Sequence, residues 1–504
     1  MYLEIVAVDS LDNQIQLLAA FNNCESATIN YFCRSIKYNN LSQQLPAALL
    51  ASLQTVKGFD ENAFMQVHAS GVQVTSVRLN PGKTGNHPSA IVHDPNMKVP
   101  WSSNGYYLSE RPSFTSDPLF HAGSYYVQEA SSMFLEEAIR QSCDLNQPLR
   151  VLDLCAAPGG KSTLIQSIIS ANSLLVSNEV IKTRVTILAE NLTKWGAVNV
   201  VVTNNDPKDF QRLPGYFDLI VVDAPCSGSG LFRKDPEAIT EWSLNNVELC
   251  SQRQERILSD ILTALKPGGT LIYSTCSYSE KEDEQIADWL LSNNPLSAIQ
   301  YQLNKDWGIV ESCSPLHNAY GYRFYPDKLK GEGFFIAAFK KQDEATVPDA
   351  RKQFQNKTKN KPQLLTKAEV EMISPYFNDV TAFSFLKWQD EILAVPAVLL
   401  EDLLLLQSCL YLKKAAVKVG TIIRDELIPD HEFALSTLAS GSVPSIEVDK
   451  ETALQYLRRQ DIQPDTALKG WALIRYKQVA LGWVKILSNR INNYYPKGWR
   501  ILNK

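Results

Sequence analysis

The segment VLDLCAAPGGKSTLI (151–165) decides the fold, because it joins an apolar strand, a glycine turn and a helix in direct succession. Apolar, β-branched runs then alternate with stretches of helical periodicity and include FDLIVVDAP (217–225), KPGGTLIYSTC (266–276) and GEGFFIAAFKK (331–341). Alternation at this spacing is typical of a parallel sheet with helices on both faces. The sequence therefore predicts a doubly wound α/β domain over 146–341.

The glycine turn predicts a ligand, since glycine lets the backbone approach one closely and the following helix N-terminus presents free N–H groups. Two phosphate-binding motifs are excluded. A Walker loop needs glycine where this chain has Cys155, and the dinucleotide fingerprint G-x-G-x-x-G is also missing. The candidate cofactor loop consists of Cys155, Ala156, Ala157, Pro158, Gly159, Gly160 and Lys161.

Three acidic residues close the strands that follow the turn, namely Glu179, Asp206 and Asp223. A carboxylate at the end of the second strand can bind a ribose diol through two hydrogen bonds, because an ionised carboxylate only accepts. An adenosine-containing cofactor without a pyrophosphate fits this set best, and S-adenosylmethionine is such a cofactor. The alternative for each acid is that it caps a helix or is solvated on a loop.

Cys226 and Cys276 follow two of the apolar strands. Ligands of open α/β sheets lie beyond the carboxyl ends of the strands, so both thiols are expected to face one pocket. Strand-end placement favours a catalytic use of these two. A lone cysteine is more often a small buried apolar residue, which is the interpretation for Cys24, Cys33, Cys143, Cys250, Cys313 and Cys409.

Composition and charge exclude several classes of protein. The 504 residues carry a net charge of −5, but residues 451–504 hold ten Lys and Arg against three Asp and Glu. Nine cysteines without a C-x-x-C pair favour reduced thiols over a zinc ribbon or a disulfide framework. The N-terminus does not resemble a signal peptide, and the most apolar tract is broken by charges and proline. We expect a cytoplasmic monomer with no metal and no membrane segment.

The remaining chain divides by composition. Residues 1–44 form an N-terminal extension of unknown role, and residues 45–145 form a small module that ends in a helix. Residues 342–362 are polar and lysine-rich, which is typical of a linker. We expect a helical intermediate region over 363–440 and a basic, aromatic domain over 441–504.

Four motifs in order carry a resemblance to a known family. CAAPGGK (155–161), Asn178-Glu179, DAPCSG (223–228) and STCS (274–277) resemble the RNA (cytosine-5) methyltransferases of the Sun/RsmF type. FHAGSYYVQEASSM (120–133) and GWVKILSNRINNYYPKGWRI (482–501) resemble the bacterial RsmF branch of that family. The resemblance covers the chain from Leu45 to the C-terminus, and the joint set of motifs is highly specific.

The resemblance implies a Rossmann-like methyltransferase core, a small α+β N-terminal RNA-binding module and a C-terminal PUA-like, β-rich RNA-binding domain. It implies S-adenosylmethionine as the cofactor and a cytidine of small-subunit (16S) ribosomal RNA as the substrate. Transfer RNA is an alternative substrate, and a non-catalytic ribosome-assembly factor is an alternative function.

The resemblance also assigns roles to single residues. Cys276 is the nucleophile that adds to cytosine C6, Cys226 assists product release, and Asp223 holds the amidine edge of the base. Lys161 lies in the cofactor loop and is a candidate for the cation that favours a thiolate. DNA cytosine-5 methyltransferases instead take their nucleophile from a Pro-Cys motif, which this chain has at Pro225-Cys226, so either thiol is a candidate nucleophile. Motif order and context favour Cys276.

Basic and aromatic side chains near the pocket and in the tail are candidate RNA contacts. Phe232, Arg233 and Lys234 are weighed equally as phosphate or stacking contacts and as a structural salt bridge. For Tyr125, Tyr126, Gln128 and Glu129, which are expected to open a helix, interdomain packing is favoured over base contact. In the tail, Trp471 and Trp483 are predicted to be core residues, whereas Arg490, Tyr494, Tyr495 and Lys497 are predicted to contact RNA.

Overall fold

The computed structural model describes residues 44–84, 91–92, 94, 96–342, 363–388 and 390–502. The N-terminal extension, apart from its last residue, and the linker, apart from its first, lie outside these residues, so both stay predictions. The described residues from Ala47 onward belong to one compact unit. Within the described ranges, no helix combines the length and the apolar character needed to cross a membrane.

The α-helices are numbered in chain order, and the 3₁₀ helices are left unnumbered. They are α1 Ala47–Leu53, α2 Glu61–Ala69, α3 Pro81–Thr84, α4 Pro118–His121, α5 Leu135–Ser142, α6 Gly160–Ile168, α7 Lys182–Trp195, α8 Glu237–Glu241, α9 Leu244–Ile261, α10 Glu284–Asn293, α11 Lys367–Ile373, α12 Leu400–Cys409, α13 His431–Leu435 and α14 Lys450–Leu457.

The strands are numbered in the same way. They are β1 Thr75–Leu79, β2 Gly105–Leu108, β3 Tyr125–Val127, β4 Arg150–Asp153, β5 Leu174–Asn178, β6 Val200–Thr203, β7 Phe217–Asp223, β8 Leu265–Thr275, β9 Leu296–Ala298, β10 Val310–Cys313, β11 Tyr320–Phe324, β12 Phe334–Lys341, β13 Gln363–Leu364, β14 Phe383–Trp388, β15 Glu391–Pro396, β16 Leu412–Ala415, β17 Val417–Ile423, β18 Glu426–Pro429, β19 Ser445–Glu447, β20 Gly470–Tyr476, β21 Val479–Ile486 and β22 Ile491–Asn493.

The largest sheet of the described chain is built on five parallel strands in the order β8-β7-β4-β5-β6. Strand β12 pairs with β8 in antiparallel fashion and continues to β11 and β10, and β9 also pairs with β12. At the far edge, β16 pairs antiparallel with β6. All of these strands except β16 come from 146–341, so the predicted doubly wound α/β core is confirmed.

Side chains alternate between two apolar layers because successive residues of a strand point to opposite faces. Leu152 and Ile220 lie in the layer that is covered by α9, α10 and α12. Val151 and Leu219 lie in the opposite layer, against α5, α6 and α7. Both faces of the parallel strands are therefore buried, which leaves the carboxyl ends of the strands as the place for a site.

The N-terminal module contains an antiparallel sheet in the order β2-β1-β3. Because Tyr125–Val127 pairs with β1, the expectation that this segment opens a helix is wrong. The helical turn begins only at Ser131, where the Glu129 carboxylate accepts hydrogen bonds from the backbone N–H groups of Ser131 and Ser132, each at 2.9 Å.

The intermediate region differs from the helical expectation for 363–440. It combines the helices α11, α12 and α13 with a five-stranded antiparallel sheet in the order β13-β14-β15-β17-β18. The apolar tract of α12 is helical as expected, but the runs before it pair with each other as a hairpin. Short apolar runs do not distinguish strand from helix by periodicity, which explains the error.

The C-terminal domain forms a four-stranded sheet in the order β19-β20-β21-β22, with α14 packed against it. Leu473 and Trp483 of this sheet share an apolar cluster with Val417 and Phe433 of the intermediate region. The β-rich character predicted for this domain is confirmed.

Candidate active site

The two cysteines lie side by side at the carboxyl edge of the parallel sheet. Strands β7 and β8 are adjacent and parallel, with Asp223 opposite Ser274, so the chain segments that follow them meet. The Sγ atoms of Cys226 and Cys276 are 3.1 Å apart, and both residues are half-buried. The structure thus brings the thiols together in one cleft, which is what two reactive groups acting on one substrate atom require.

The environment of the Cys226 thiol favours its protonated form. The hydrogen bond with Cys276 raises the pKa of Cys226 well above its usual value, and burial and the negative charge of Glu282 act in the same direction. At neutral pH this thiol therefore keeps its proton and can share it with its neighbour.

An ion pair lies beside the thiols. Lys161 Nζ is 2.7 Å from Asp223 Oδ2, and Ser274 Oγ donates to the other carboxylate oxygen at 2.8 Å. Burial lowers the pKa of Lys161, but Asp223, Asp153 and Cys276 outweigh it, so the net pKa is raised. A firmly charged ammonium group thus links the glycine turn to the strand that carries Asp223.

The glycine turn has the backbone that only glycine adopts easily. Gly159 has φ 116° and precedes the first residue of α6. A Cβ at Gly160 would lie 3.3 Å from a ring carbon of Tyr126. Ala156 and Ala157 are buried, whereas Pro158 is exposed and Cys155 is half-buried. The turn is thus closely packed on its inner side and open on its outer side.

Hydrogen bonds from the next helix hold the outer side of the turn. Arg184 Nη2 donates to the Ala157 carbonyl at 2.8 Å, and Asn191 Nδ2 donates to the Pro158 carbonyl at 2.8 Å. The Ala156 N–H donates to the Asn178 carbonyl at 2.8 Å. The loop is therefore shaped before any ligand arrives, which reduces the entropy lost on binding.

Glu179 directly follows β5 and is buried. One carboxylate oxygen accepts the Ile181 N–H at 2.9 Å, and the other lies 3.4 Å from Arg184 Nη1. The next two side chains, Val180 and Ile181, are 54% and 47% exposed despite being apolar. An acid beside an open apolar surface suits a nucleoside, whose ribose is polar and whose base is flat and apolar.

Asp206 caps a helix, which is the alternative that the sequence left open for each of the three acids. It is the N-cap of a 3₁₀ helix, Pro207–Arg212, and its Oδ1 accepts the Lys208 N–H at 3.2 Å. Asp209 completes the capping box by accepting the N–H of Asp206. The carboxylate of Asp206 is half-buried, and its second oxygen can accept a hydrogen bond from a ligand. The place of Asp206 in a cofactor site stays a prediction.

Three comparisons with known proteins agree with this geometry. Residues 142–340 match the family model of the 16S rRNA methyltransferase RsmB/F, residues 45–130 match the N-terminal domain of 16S rRNA methyltransferase RsmF, and residues 443–501 match the methyltransferase RsmF PUA domain.

The "Ribosomal RNA small subunit methyltransferase F" of Aeromonas salmonicida is 30% identical over 410 residues, which are 79% of this chain and 84% of the relative. The protein of that name from Vibrio vulnificus is 30% identical over 412 residues, with the same shares. This chain belongs to the ribosomal RNA small subunit methyltransferase F family.

The solved structure of PH0851 has the same fold, with a TM-score of 0.52 and 22% identity over 60% of this chain and 67% of that one.

In this member of the methyltransferase F family, the N-terminal module is fixed to α6, the helix that follows the glycine turn, and to the end of α7. The guanidinium of Arg78 in β1 donates to Thr163 Oγ1 at 2.5 Å and lies 4.6 Å from the Trp195 ring centroid. Asn80 Nδ2 donates to the Trp195 carbonyl at 2.9 Å. Arg78 is buried by this docking, and burial lowers its pKa to about 9.

Several predicted RNA contacts of the methyltransferase F chain are structural instead. Phe232 is buried, and Arg233 pairs with Glu332 at 3.2 Å. Tyr495 is buried against His431 and Tyr456, so its prediction as an RNA contact is wrong.

Other members of the predicted sets stand open to solvent. Lys234, Arg490, Tyr494 and Lys497 are exposed, and as RNA contacts they stay predictions. The core positions predicted for Trp471 and Trp483 are confirmed, since both side chains are buried.

Two acids of the site escaped the sequence reasoning. Asp153 ends β4 and is fully buried, and its Oδ2 accepts Ser162 Oγ at 2.6 Å, while Oδ1 has no hydrogen-bond partner among the described residues. Burial raises its pKa to about 7. The rule that identified the other strand-end acids applies equally to Asp153. The second, Glu282, has no such signal, because it contacts both thiol loops only in the folded chain.

Proposed function

We propose that the protein transfers a methyl group to C5 of a cytidine in small-subunit ribosomal RNA through a covalent bond between Cys276 and C6 of the base. The observation that carries the proposal is the pair of thiols 3.1 Å apart, beside the Lys161–Asp223 ion pair. Family membership makes the protein an S-adenosylmethionine-dependent ribosomal RNA methyltransferase. Methyl transfer to cytosine C5 accounts for two thiols, because one adds to C6 of the base and the other assists product release.

The residues at the strand ends fit S-adenosylmethionine. The strand-end carboxylate of Glu179 suits the ribose, because each of its oxygens can accept a further hydrogen bond, and the exposed side chains of Val180 and Ile181 suit the adenine ring. The unpartnered Oδ1 of Asp153 offers a buried acceptor next to the glycine turn. When bound, S-adenosylmethionine supplies an electrophilic methyl group.

Cytosine C5 is a poor nucleophile until a thiolate has added to C6, because addition turns the ring into an enamine. Cys276 makes that addition. Asp223 holds the amidine edge of the base, and its pairing with Lys161 at 2.7 Å fixes the carboxylate in place. The activated C5 then takes up the methyl group.

For product release, a water molecule acting as base takes the C5 proton, the C5–H electron pair forms the C5–C6 double bond, and the C6–S bond breaks so that Cys276 leaves as a thiolate. Cys226 lies within 3.1 Å of that sulfur and carries a proton at neutral pH because its pKa is raised, mainly by its hydrogen bond with Cys276. A protonated thiol beside a leaving thiolate is suited to return a proton to it and so assist release.

The test is bisulfite sequencing of total RNA from cells with and without the gene. We expect one cytosine of small-subunit ribosomal RNA to lose its protection in the deletion strain. The wild-type gene should restore it, and a Cys276→Ser gene should not. Protection lost only in transfer RNA would contradict the substrate, and restoration by Cys276→Ser would contradict the covalent mechanism.

A further inference from the structure

One buried carboxylate ties the two thiol loops to each other. Glu282 Oε1 accepts the backbone N–H of Ser227 at 2.7 Å, and Oε2 accepts the Ser227 hydroxyl at 2.5 Å. The same Oε2 accepts the hydroxyl of Ser277 at 2.6 Å. Ser227 directly follows Cys226, and Ser277 directly follows Cys276, so a single side chain fixes the residue after each thiol.

Glu282 is itself held rigidly. Tyr273 Oη donates to its backbone carbonyl at 2.6 Å, and Gln254 Nε2, from α9, lies 3.4 Å from Oε1. The same amide of Gln254 donates to the carbonyl of Pro225 at 3.0 Å, one residue before Cys226. Strand β8 and helix α9 thus hold Glu282 from outside the two thiol loops.

The hydrogen bonds are those of an ionised carboxylate. All of the groups that approach Glu282 are donors, and an ionised carboxylate only accepts. The pKa of Glu282 is raised above its usual value, because burial outweighs the hydrogen bonds from Ser227, Ser277 and Gln254 that favour the ionised form. Within the described chain no cation forms an ion pair with Glu282, and the nearby Arg323 pairs with Asp283 and Glu284 instead.

The negative charge of Glu282 therefore acts on the groups around it. The Cys226 thiol faces Cys276 and Tyr273 from β8 and its loop and Glu282 from the segment before α10, whereas the ion pair of Lys161 and Asp223 lies beside Cys276. Burial raises the pKa of Cys250, on α9; the negative charge of Glu282 raises it further, and the positive charge of Arg253 lowers it. Among these groups, Glu282 is the one that touches both thiol loops.

We propose that Glu282 is a positioning residue that holds Cys226 and Cys276 at reacting distance and keeps the proton on Cys226. It acts through Ser227 and Ser277 and does not touch the reacting atoms. The inference rests on the proposed function, since it assigns distinct tasks to the two thiols. Loss of the charge should release the proton from Cys226 more readily, and loss of the hydrogen bonds should let the loops move apart.

The test is a Glu282→Gln variant with Glu280→Gln as its matched control. Glu280 is half-exposed on the same segment, so the control removes the same charge without touching either serine. We expect Glu282→Gln to lower kcat about 100-fold, because a small misplacement of reacting groups has that effect. The KM for S-adenosylmethionine should stay within about twofold. The control should behave as wild type in both.

A second readout needs no RNA. The rate of alkylation of each thiol by iodoacetamide is followed against pH by peptide mass spectrometry. In Glu282→Gln, Cys226 should react faster at neutral pH and its profile should move to lower pH, because the thiolate is no longer disfavoured by a neighbouring charge. A wild-type profile with wild-type kcat overturns the proposal. This result stands whichever RNA base is the substrate.

Ser227→Ala is a second variant that tests the proposal if Glu282→Gln does not fold. It removes one hydrogen bond to the carboxylate but leaves the charge and the Ser227 N–H in place. We expect kcat to fall about tenfold with an unchanged alkylation profile of Cys226, since only the positioning is weakened. Unchanged kcat in this variant contradicts the positioning role, and a shifted profile contradicts the electrostatic one.

Discussion

The loops after β7 and β8 leave their reactive side chains facing a cleft, whereas the C-terminal segment 470–502 turns most of its aromatic rings inward. Cys226 and Cys276 are half-buried and meet at 3.1 Å. Trp483 and Tyr495 are 0% and 1% exposed. Placement at a strand end thus predicts which side chains meet better than a basic, aromatic composition predicts which side chains lie at the surface.

The difference has a physical cause. The faces of the parallel sheet are filled with apolar side chains, so polar groups that follow its strands collect at the open edge. The C-terminal domain is small and has little core of its own, so its large aromatic side chains are needed to build one. Polar and reactive side chains therefore gather at the open edge of the sheet in one region, whereas aromatic side chains build the core in the other.

The sharpest test of the cleft is Cys276→Ser. Methyl transfer should fall on the order of 10⁴-fold or more, since the covalent step loses its nucleophile. Transfer of radiolabelled methyl groups to small-subunit ribosomal RNA measures the loss. Affinity for S-adenosylmethionine should stay unchanged in a binding titration, because the thiol is not part of the glycine turn. Substantial residual transfer would assign the nucleophile to another residue.

The second thiol is tested by Cys226→Ala. Turnover should fall about 10³-fold, within the range of proton-transfer groups, while addition to the base continues. The protein should therefore accumulate as a covalent RNA adduct, visible on a denaturing gel. The double variant Cys226→Ala/Cys276→Ser is the control and should form none. A single variant that turns over without adduct would remove Cys226 from product release.

Short motifs predicted this site well because each lies within one strand and its following loop. The alternation of apolar runs determines which strand ends share an edge, so Asp223, Cys226 and Cys276 could be placed together from the sequence. The hydrogen bonds of Glu282 with Ser227 and Ser277 could not be predicted from the sequence, since they depend on how the segment before α10 folds back across both loops.

The intermediate region was not predictable in the same way. Its strand β16 completes the edge of the central sheet by pairing with β6, over 200 residues earlier in the chain. Asp402 of α12 pairs with Arg150 of β4 at 2.6 Å across a similar separation. Neither contact leaves a local pattern, because long-range pairing is set by the packing of whole elements.

Trp483→Ala tests whether the tail aromatics serve stability. The indole N–H donates to the Asp430 carbonyl at 2.9 Å and the ring is fully buried. Its removal should cost about 3–5 kcal/mol of unfolding free energy, measured by denaturant titration. Tyr494→Ala is the control, because this ring is exposed and packs against Trp471 at the surface, and it should cost about 1.5 kcal/mol at most. Equal costs would contradict the distinction.

The exposed cations of the same segment give the smallest expected effect. Arg490→Ala and Lys497→Ala should each weaken binding to small-subunit ribosomal RNA several-fold without changing stability, since both side chains are open to solvent. Each phosphate contact that is lost should reduce the slope of log affinity against log salt by about 0.7–0.9. Filter binding at several salt concentrations measures both quantities.

Lys266→Ala is the matched control for these two variants. Lys266 is exposed and pairs with Asp218 at 2.9 Å, at the amino ends of β7 and β8, which is the edge opposite the thiols. Its loss changes the net charge equally, so a general attraction between protein and RNA would be weakened to the same extent. A salt slope reduced only by the tail variants would place RNA on the C-terminal domain. An equal reduction in all three would mean that the tail cations act through net charge alone.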